Sequence, residues 1–138
     1  MNWGKLIVPV CAMLSIIACK STPAVQNGYS ARLQGSWQLI RASGGYAGKD
    51  QPIKELRNLC IHENKYQVWQ RDSMAASGTF TVKDAKWITN GQQGPALFLE
   101  RFPFGQQLSL RNDTLQLTDL VYDGYTYIYV KQGGSCFR

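Results

Sequence analysis

The chain is poor in the residues on which most enzymes depend. Its 138 residues include a single histidine, His62, and no Gly-X-Ser-X-Gly motif, metal-binding histidine pair or phosphate-binding glycine loop. A Ser-His or Cys-His catalytic pair would therefore have to use His62. No such constellation can be assembled around it from the sequence, so we expect no catalytic residues and no cofactor.

Clustered positive charge and long hydrophobic runs are also missing. The formal net charge is +6, but the lysines and arginines are scattered along the chain. Nucleic-acid binding needs a basic patch or stripe, so we expect no nucleic-acid partner. The apolar run at residues 6–17 is shorter than the about 20 residues that a membrane-spanning helix needs. This run is therefore not predicted to cross a bilayer.

The N-terminus instead has the features of an export signal in the expected order. Lys5 precedes the apolar run, as in signal peptides. The run ends in Ile16-Ile17-Ala18-Cys19, which resembles the lipobox of bacterial lipoproteins. The resemblance implies cleavage after residues 1–18 and a lipid on the Cys19 thiol, so that the bilayer is a partner through acylated Cys19. An ordinary secretory signal with a chance cysteine is the alternative.

Residues 19–30 are polar, contain Pro and Gly and show no periodicity. We interpret them as the lipidated cysteine and a flexible tether, followed by one folded domain at residues 31–138. Lys20, rather than Asp, follows the cysteine. By resemblance to lipoprotein sorting signals, this implies an anchor in the outer membrane, and the absence of acids at residues 20–23 implies that the domain faces the periplasm.

Cys60 and Cys136 are the two thiols that the folded domain contributes. An even pair of cysteines in an exported chain usually forms a disulfide, and we predict one here. The alternative is a metal site of Cys60, His62 and Cys136. That site is less favoured because the sequence supplies no fourth ligand.

The folded domain has the pattern of a β protein. Short segments alternate apolar and polar residues and are separated by regular turn signals, which gives about eight strands. The clearest hairpin joins residues 107–111 to residues 114–118 through the Asn112-Asp113 turn. The predicted fold is all-β, a single eight-stranded antiparallel up-and-down barrel, because closure leaves no exposed sheet edge.

Gly35-Ser36-Trp37, at the start of the first strand, resembles the Gly-X-Trp signature of lipocalins. The resemblance implies that Trp37 plugs the closed end of the barrel and that a basic residue near the last strand packs over its ring. Lys131 is the matching residue, and Arg138 is less well placed. The wider pattern resembles the small lipocalin-like domains on lipoproteins of Bacteroides-type bacteria.

Aromatic residues supply the candidates for a ligand cavity. Tyr125, Tyr127 and Tyr129 share one face of the last strand, and we place Trp69 and Phe98 beside them. Apolar walls with a few hydroxyl groups suit a small apolar or amphipathic ligand. The alternative is that these side chains fill the core or cover the outside of the barrel.

A protein-binding barrel of the protease-inhibitor or envelope-assembly type, without a small-molecule ligand, is the alternative function. The glycine-rich loop at residues 42–52 permits it, but no feature of the sequence identifies a protein partner. Asp72-Ser73-Met74 and Asp113-Thr114-Leu115 resemble the sequon that is O-glycosylated in exported Bacteroides-type proteins. This resemblance makes Ser73 and Thr114 candidate glycosylation sites.

Overall fold

The structure is a computed structural model that describes residues 24–45, 48–134 and 136. The predicted signal peptide, residues 1–18, and Cys19 lie outside the described residues. The helix and strands, in chain order, are α1 (Ala24–Leu33), β1 (Gly35–Gly44), β2 (Lys49–Gln51), β3 (Arg57–His62), β4 (Lys65–Gln70), β5 (Ser73–Lys86), β6 (Gln93–Leu99), β7 (Gln106–Arg111), β8 (Thr114–Asp119) and β9 (Tyr125–Gln132).

Eight of the strands form a closed barrel. From β3 to β9, each strand pairs antiparallel with the next one in the sequence. Strand β1 pairs with β3 on one side and with β9 on the other, which closes the sheet on itself. The short strand β2 pairs with the end of β1. The predicted eight-stranded antiparallel barrel is confirmed.

Short hairpins fix which side chains face inward. Across the β7–β8 hairpin, Leu108 lies opposite Leu117 and Leu110 opposite Leu115, and all four are buried. Asn112 in the turn has a φ of 48°, a left-handed conformation that asparagine adopts more readily than most residues. The apolar alternation and the turn residue therefore agree on one register.

One end of the barrel is closed by the helix, and we call it the closed end. Leu33 and Trp37 are fully buried there, and the Trp37 indole N–H donates a hydrogen bond of 2.8 Å to the Leu33 carbonyl. The side-chain amide of Gln34 binds the β3–β4 turn through both its nitrogen and its oxygen. Its Nε2 donates to the Glu63 carbonyl at 3.0 Å, and its Oε1 accepts from the Glu63 N–H at 2.7 Å.

Helix α1 begins within the segment that was interpreted as a tether to residue 30. It is ordered because Tyr29 and Leu33, four residues apart and so on one helix face, pack against the barrel core. The described helix thus includes residues 24–30, which the sequence analysis assigns to the tether. No helix in the described ranges is long and apolar enough to cross a membrane.

The opposite end, which we call the open end, is formed by the β1–β2, β2–β3, β4–β5, β6–β7 and β8–β9 connections. Several large apolar side chains are exposed here rather than packed. They are Ile53, Leu56, Met74, Phe102, Tyr122 and Tyr125. These six residues are called the apolar rim below. The helix covers one end of the barrel, whereas the other end carries this rim.

Candidate functional site

The interior of the barrel contains a cavity of about 280 Å³ that opens toward the apolar rim. Inward-facing side chains of β3 to β9 line it, together with Phe102 of the β6–β7 loop. A second space of about 370 Å³ lies at the mouth, between the β2–β3 loop and the last strand. Arg57, Gln70 and Tyr127 line both spaces, so the two are neighbouring parts of one site. We call them the inner cavity and the mouth.

The lining of the inner cavity changes from polar to apolar with depth. On three strands a polar residue lies nearer the open end, and an apolar residue lies two positions deeper on the same face. These pairs are Arg57 with Leu59, Gln70 with Val68, and Asp119 with Leu117. Leu59 and Leu117 are at most 2% exposed. The site is therefore polar at its entrance and apolar at its floor.

Two buried polar residues hold the strands together at the entrance. Asp119 Oδ1 accepts a hydrogen bond of 2.8 Å from Gln106 Nε2, which joins β8 to β7. Asp119 Oδ2 accepts one of 3.1 Å from the Tyr125 backbone N–H, which joins β8 to the start of β9. These bonds satisfy a carboxylate that is only 7% exposed, and they keep the mouth in one shape.

Tyr127 and Tyr129 present their hydroxyl groups to this polar region. Burial raises the pKa of Tyr129 to about 12, although the neighbouring Arg57 guanidinium acts in the opposite direction. Burial, followed by the charge of Asp119, also raises the pKa of Tyr127. Both phenols are therefore protonated at neutral pH and can donate hydrogen bonds.

The tyrosines predicted to line a cavity lie on the inward side of the last strand. Tyr127 and Tyr129 line the inner cavity, and Tyr125 lines the mouth, where it is 37% exposed. The ring centroids of Tyr125 and Tyr127 are 6.2 Å apart. All three side chains thus contribute to one wall of the site.

Trp69 and Phe98 do not line the inner cavity, and that prediction was wrong. Leu97 and Leu99 are buried on the inward side of β6, so Phe98 between them must point outward. Lys83 Nζ lies 4.4 Å from the centre of its ring. The identity of an aromatic residue does not show whether it points into or out of the barrel. The alternation of buried and exposed residues along the strand does.

Trp69 lies on the outer wall of the barrel for the same reason. Val68 and Gln70 line the inner cavity, which leaves Trp69 on the opposite face of β4. Its indole N–H donates to Gln67 Oε1 at 3.1 Å. Trp69 lines an outer groove of about 510 Å³ that Cys60 and Cys136 also border.

The three residues of the Gly-X-Trp resemblance meet at the closed end. Trp37 is fully buried, and Lys131 Nζ lies 5.3 Å from the centre of its ring. Gly35 has a φ of 117°, and a Cβ atom there would approach Lys131 Cε to 3.3 Å. A larger residue at position 35 would be strained and would crowd the lysine.

Cys60 and Cys136 are neighbours but are free thiols in the structure, so the predicted disulfide is not formed there. Cys60 is buried, and its Sγ lies 3.8 Å from Ser36 Oγ. Burial, together with a hydrogen bond to Cys60, raises the pKa of the Cys136 thiol to about 12. The fold thus brings the two thiols together, and Cys136 is protonated at neutral pH.

The candidate glycosylation sites lie at the ends of hairpins. Ser73 is the first residue of β5 and Thr114 the first residue of β8, and both side chains are exposed. Among the described residues, no group of three or more His, Cys, Asp or Glu side chains could hold a metal ion. The alternative metal site of Cys60, His62 and Cys136 is therefore not assembled in the described part of the chain.

Sequence reasoning missed the polar residues of the entrance. Asp119 is buried, although carboxylates usually lie at the protein surface. The signal was its position: Leu115, Leu117 and Asp119 share one strand face, as do Arg57 and Leu59. In such a strand, the inward-facing positions are apolar until the strand end, where the last one is polar. This pattern therefore indicates the polar entrance of a cavity.

Comparisons with known protein families, with curated proteins and with solved structures found no match to this chain.

Proposed function

We propose that the protein is a lipocalin-like binding protein of the bacterial cell envelope that takes a small amphipathic molecule into its barrel through the open end. The observation that carries this proposal is the order of the lining, polar at the entrance and apolar at the floor. An amphipathic molecule would bury its apolar part against Leu59 and Leu117 and leave its polar part among the entrance side chains.

The closed end supports the lipocalin-like part of the proposal. Gly35, Trp37 and Lys131 have the arrangement that the Gly-X-Trp resemblance implies, with the lysine amine over the indole ring. A barrel that is plugged at one end admits a ligand only through the other. This explains why the cavity residues and the apolar rim belong to the same end.

The anchor is proposed from the sequence. Cleavage before Cys19 and acylation of its thiol would hold the domain on a membrane, and Lys20 favours the outer membrane with the domain facing the periplasm. Mass spectrometry of the mature N-terminus should find a lipidated Cys19 and no residues 1–18. An unmodified Cys19, or a retained apolar segment, would contradict the anchor.

Binding is tested with an uncharged fluorescent probe, N-phenyl-1-naphthylamine, and the variant Tyr127→Ala. The change removes part of one cavity wall, and burial of part of an aromatic ring is worth about 1 kcal/mol or more. We expect probe affinity to fall by about that amount while the barrel stays folded. Tyr122→Ala is the matched control, because Tyr122 is 86% exposed and lines neither space.

The two variants separate three outcomes. Weaker binding with Tyr127→Ala alone supports the cavity as the binding site. An equal loss of probe affinity with Tyr122→Ala would show that the probe binds at the apolar rim instead. No probe binding by the wild-type protein, together with a stability loss of about 3 kcal/mol or more for Tyr127→Ala, would make the tyrosines core residues and end the ligand-binding proposal.

The apolar rim favours a protein-binding barrel as a second candidate. Six large apolar side chains around one end are more than scattered surface residues, and such patches mark interaction sites. Met74→Ser, on the rim and in the lining of neither space, should weaken partner binding without changing probe binding in the inner cavity. The opposite pattern would support the small-molecule function.

A further inference from the structure

Arg57 places a positive charge inside the barrel. It is the first residue of β3, it is half-buried, and it lines both the inner cavity and the mouth. The ion pairs of the described residues are Arg41 with Asp50 and Arg71 with Glu55, all with exposed side chains. No carboxylate of the described chain lies within ion-pair distance of Arg57.

The carboxylate of the inner cavity is already engaged. Asp119 directs Oδ1 to the Gln106 amide and Oδ2 to the Tyr125 N–H. Both oxygens therefore serve to hold three strands in place rather than to pair with Arg57. Glu55, which borders the mouth, lies 3.3 Å from the Arg71 guanidinium. The guanidinium of Arg57 is therefore left without an ion-pair partner among the described residues.

The other polar groups at the entrance are mostly donors. Tyr127 and Tyr129 are protonated at neutral pH, and the Arg57 guanidinium lies close enough to the Tyr129 hydroxyl to act as a donor to it. Tyr129 can then direct its own proton elsewhere, and the Gln70 amide adds further donors. Donors around one cation match an anion better than an amine or a neutral alcohol.

We propose that the molecule bound in the barrel is an amphipathic acid, with a singly charged head group, such as a carboxylate, held by Arg57 and an apolar tail directed toward Leu59 and Leu117. This inference rests on the proposed ligand-binding function and specifies its ligand. A singly charged head is favoured over a phosphate dianion because Asp119 contributes a negative charge to the same cavity.

The experiment compares dodecanoic acid with dodecanol, which have equal chain length and differ only in the head group. Affinities are measured at pH 8 and low salt for the wild-type protein, Arg57→Gln and Arg111→Gln. Arg111→Gln is the matched control, since it removes the same charge from the exposed end of β7, beside the closed end. Circular dichroism confirms that each variant is folded.

We expect the wild-type protein to bind the acid about tenfold or more tightly than the alcohol, in line with a charge-assisted hydrogen bond. Arg57→Gln should abolish this preference and leave the affinity for dodecanol within about twofold. Arg111→Gln should keep the preference. If Arg57→Gln does not fold, Arg57→Lys replaces it and should reduce the preference without abolishing it, because a lysine keeps the charge but loses the planar fork.

The outcomes distinguish the two levels of the proposal. Equal wild-type affinities for acid and alcohol, or an undiminished preference in the Arg57 variant, would overturn the acid head group and leave the binding function standing. Binding of neither compound by the wild-type protein would overturn the binding function as well. Loss of the preference in Arg111→Gln would show that net charge, rather than Arg57, selects the acid.

Discussion

The two ends of the barrel use the same strands for different purposes. At the closed end, Leu33, Trp37 and Tyr66 are fully buried, and the helix is hydrogen-bonded to the β3–β4 turn through Gln34. At the open end, the inward positions are occupied by polar residues such as Arg57, and large apolar side chains are exposed around the rim. One end is filled with side chains, and the other is left hollow.

The difference shows where stability and binding reside in a small barrel. Close packing at one end supplies the burial energy that a domain of this size needs. The other end can then keep unfilled volume and a partly buried charge without an ion-pair partner, both of which lower stability. Substitutions at the two ends should therefore separate these properties.

The largest expected effect is that of Trp37→Ala at the closed end. The change removes a fully buried indole and its 2.8 Å hydrogen bond to Leu33, so the free energy of unfolding should fall by about 3 to 5 kcal/mol. Tyr127→Ala at the open end should cost about 1 kcal/mol. Urea unfolding measures both, and equal losses would remove the distinction between the ends.

Oxidation of Cys60 and Cys136 to a disulfide should stabilise the domain by attaching its C-terminus to β3. A Cys60–Cys136 bond closes a loop of about 77 residues and should stabilise the domain by roughly 2 to 4 kcal/mol. Oxidation should be slow at pH 8, because a Cys136 pKa of about 12 leaves little thiolate. Peptide mapping after treatment with oxidised glutathione, with Cys136→Ser as control, checks this. Persistent free thiols would contradict it.

A smaller effect is expected for Lys131→Met, which keeps the apolar stem and removes the amine over Trp37. The loss should be about 0.5 to 1 kcal/mol. Lys83→Met is the matched control, since Lys83 covers Phe98 on the outer wall. If Lys83→Met were the more destabilising of the two, the contact at the closed end would have no special role. Thermal unfolding of both variants provides the comparison.

The smallest effect concerns Tyr66, whose buried hydroxyl has no hydrogen-bond partner in the described part of the chain. Tyr66→Phe removes the unpaired group and keeps the ring, so we expect no loss of stability or a gain of up to about 1 kcal/mol. A clear loss in the same urea measurement would show that the hydroxyl is bonded in solution. Leu59→Ala, a buried truncation, is the destabilising reference.

The fold was predictable because the apolar alternation within strands and the turn residues between them indicate the same strand pairing. In the β7–β8 hairpin, the leucines at alternate positions and the Asn112 turn give the same register. The N-terminal helix was missed, since Tyr29 and Leu33 form an apolar face too small to show as periodicity. Its order depends on contacts with the finished barrel, and a sequence does not display such contacts.

The site was predictable only in part. The strand face on which a side chain lies follows from the strand register, but the groups that surround it depend on contacts between distant parts of the chain. Period two places Tyr125, Tyr127 and Tyr129 on one strand face, but only the structure shows that this face points inward. Phe98 was misplaced as a cavity residue, because Leu97 and Leu99 occupy the inward positions of the strand. Nothing in the linear sequence places Arg57 beside Tyr129.

The pairing of β1 with β9 also sets the order of folding. Ser36 lies opposite Gln132 and Gly44 opposite Tyr125, so the first and last strands meet only after nearly the whole chain is available. Such distant pairings make folding slow compared with helical domains of similar size. Until β9 arrives, β1 and β8 both present unpaired backbone groups, which can pair with another chain. A nascent chain that lacks its last strand is therefore an aggregation-prone open sheet.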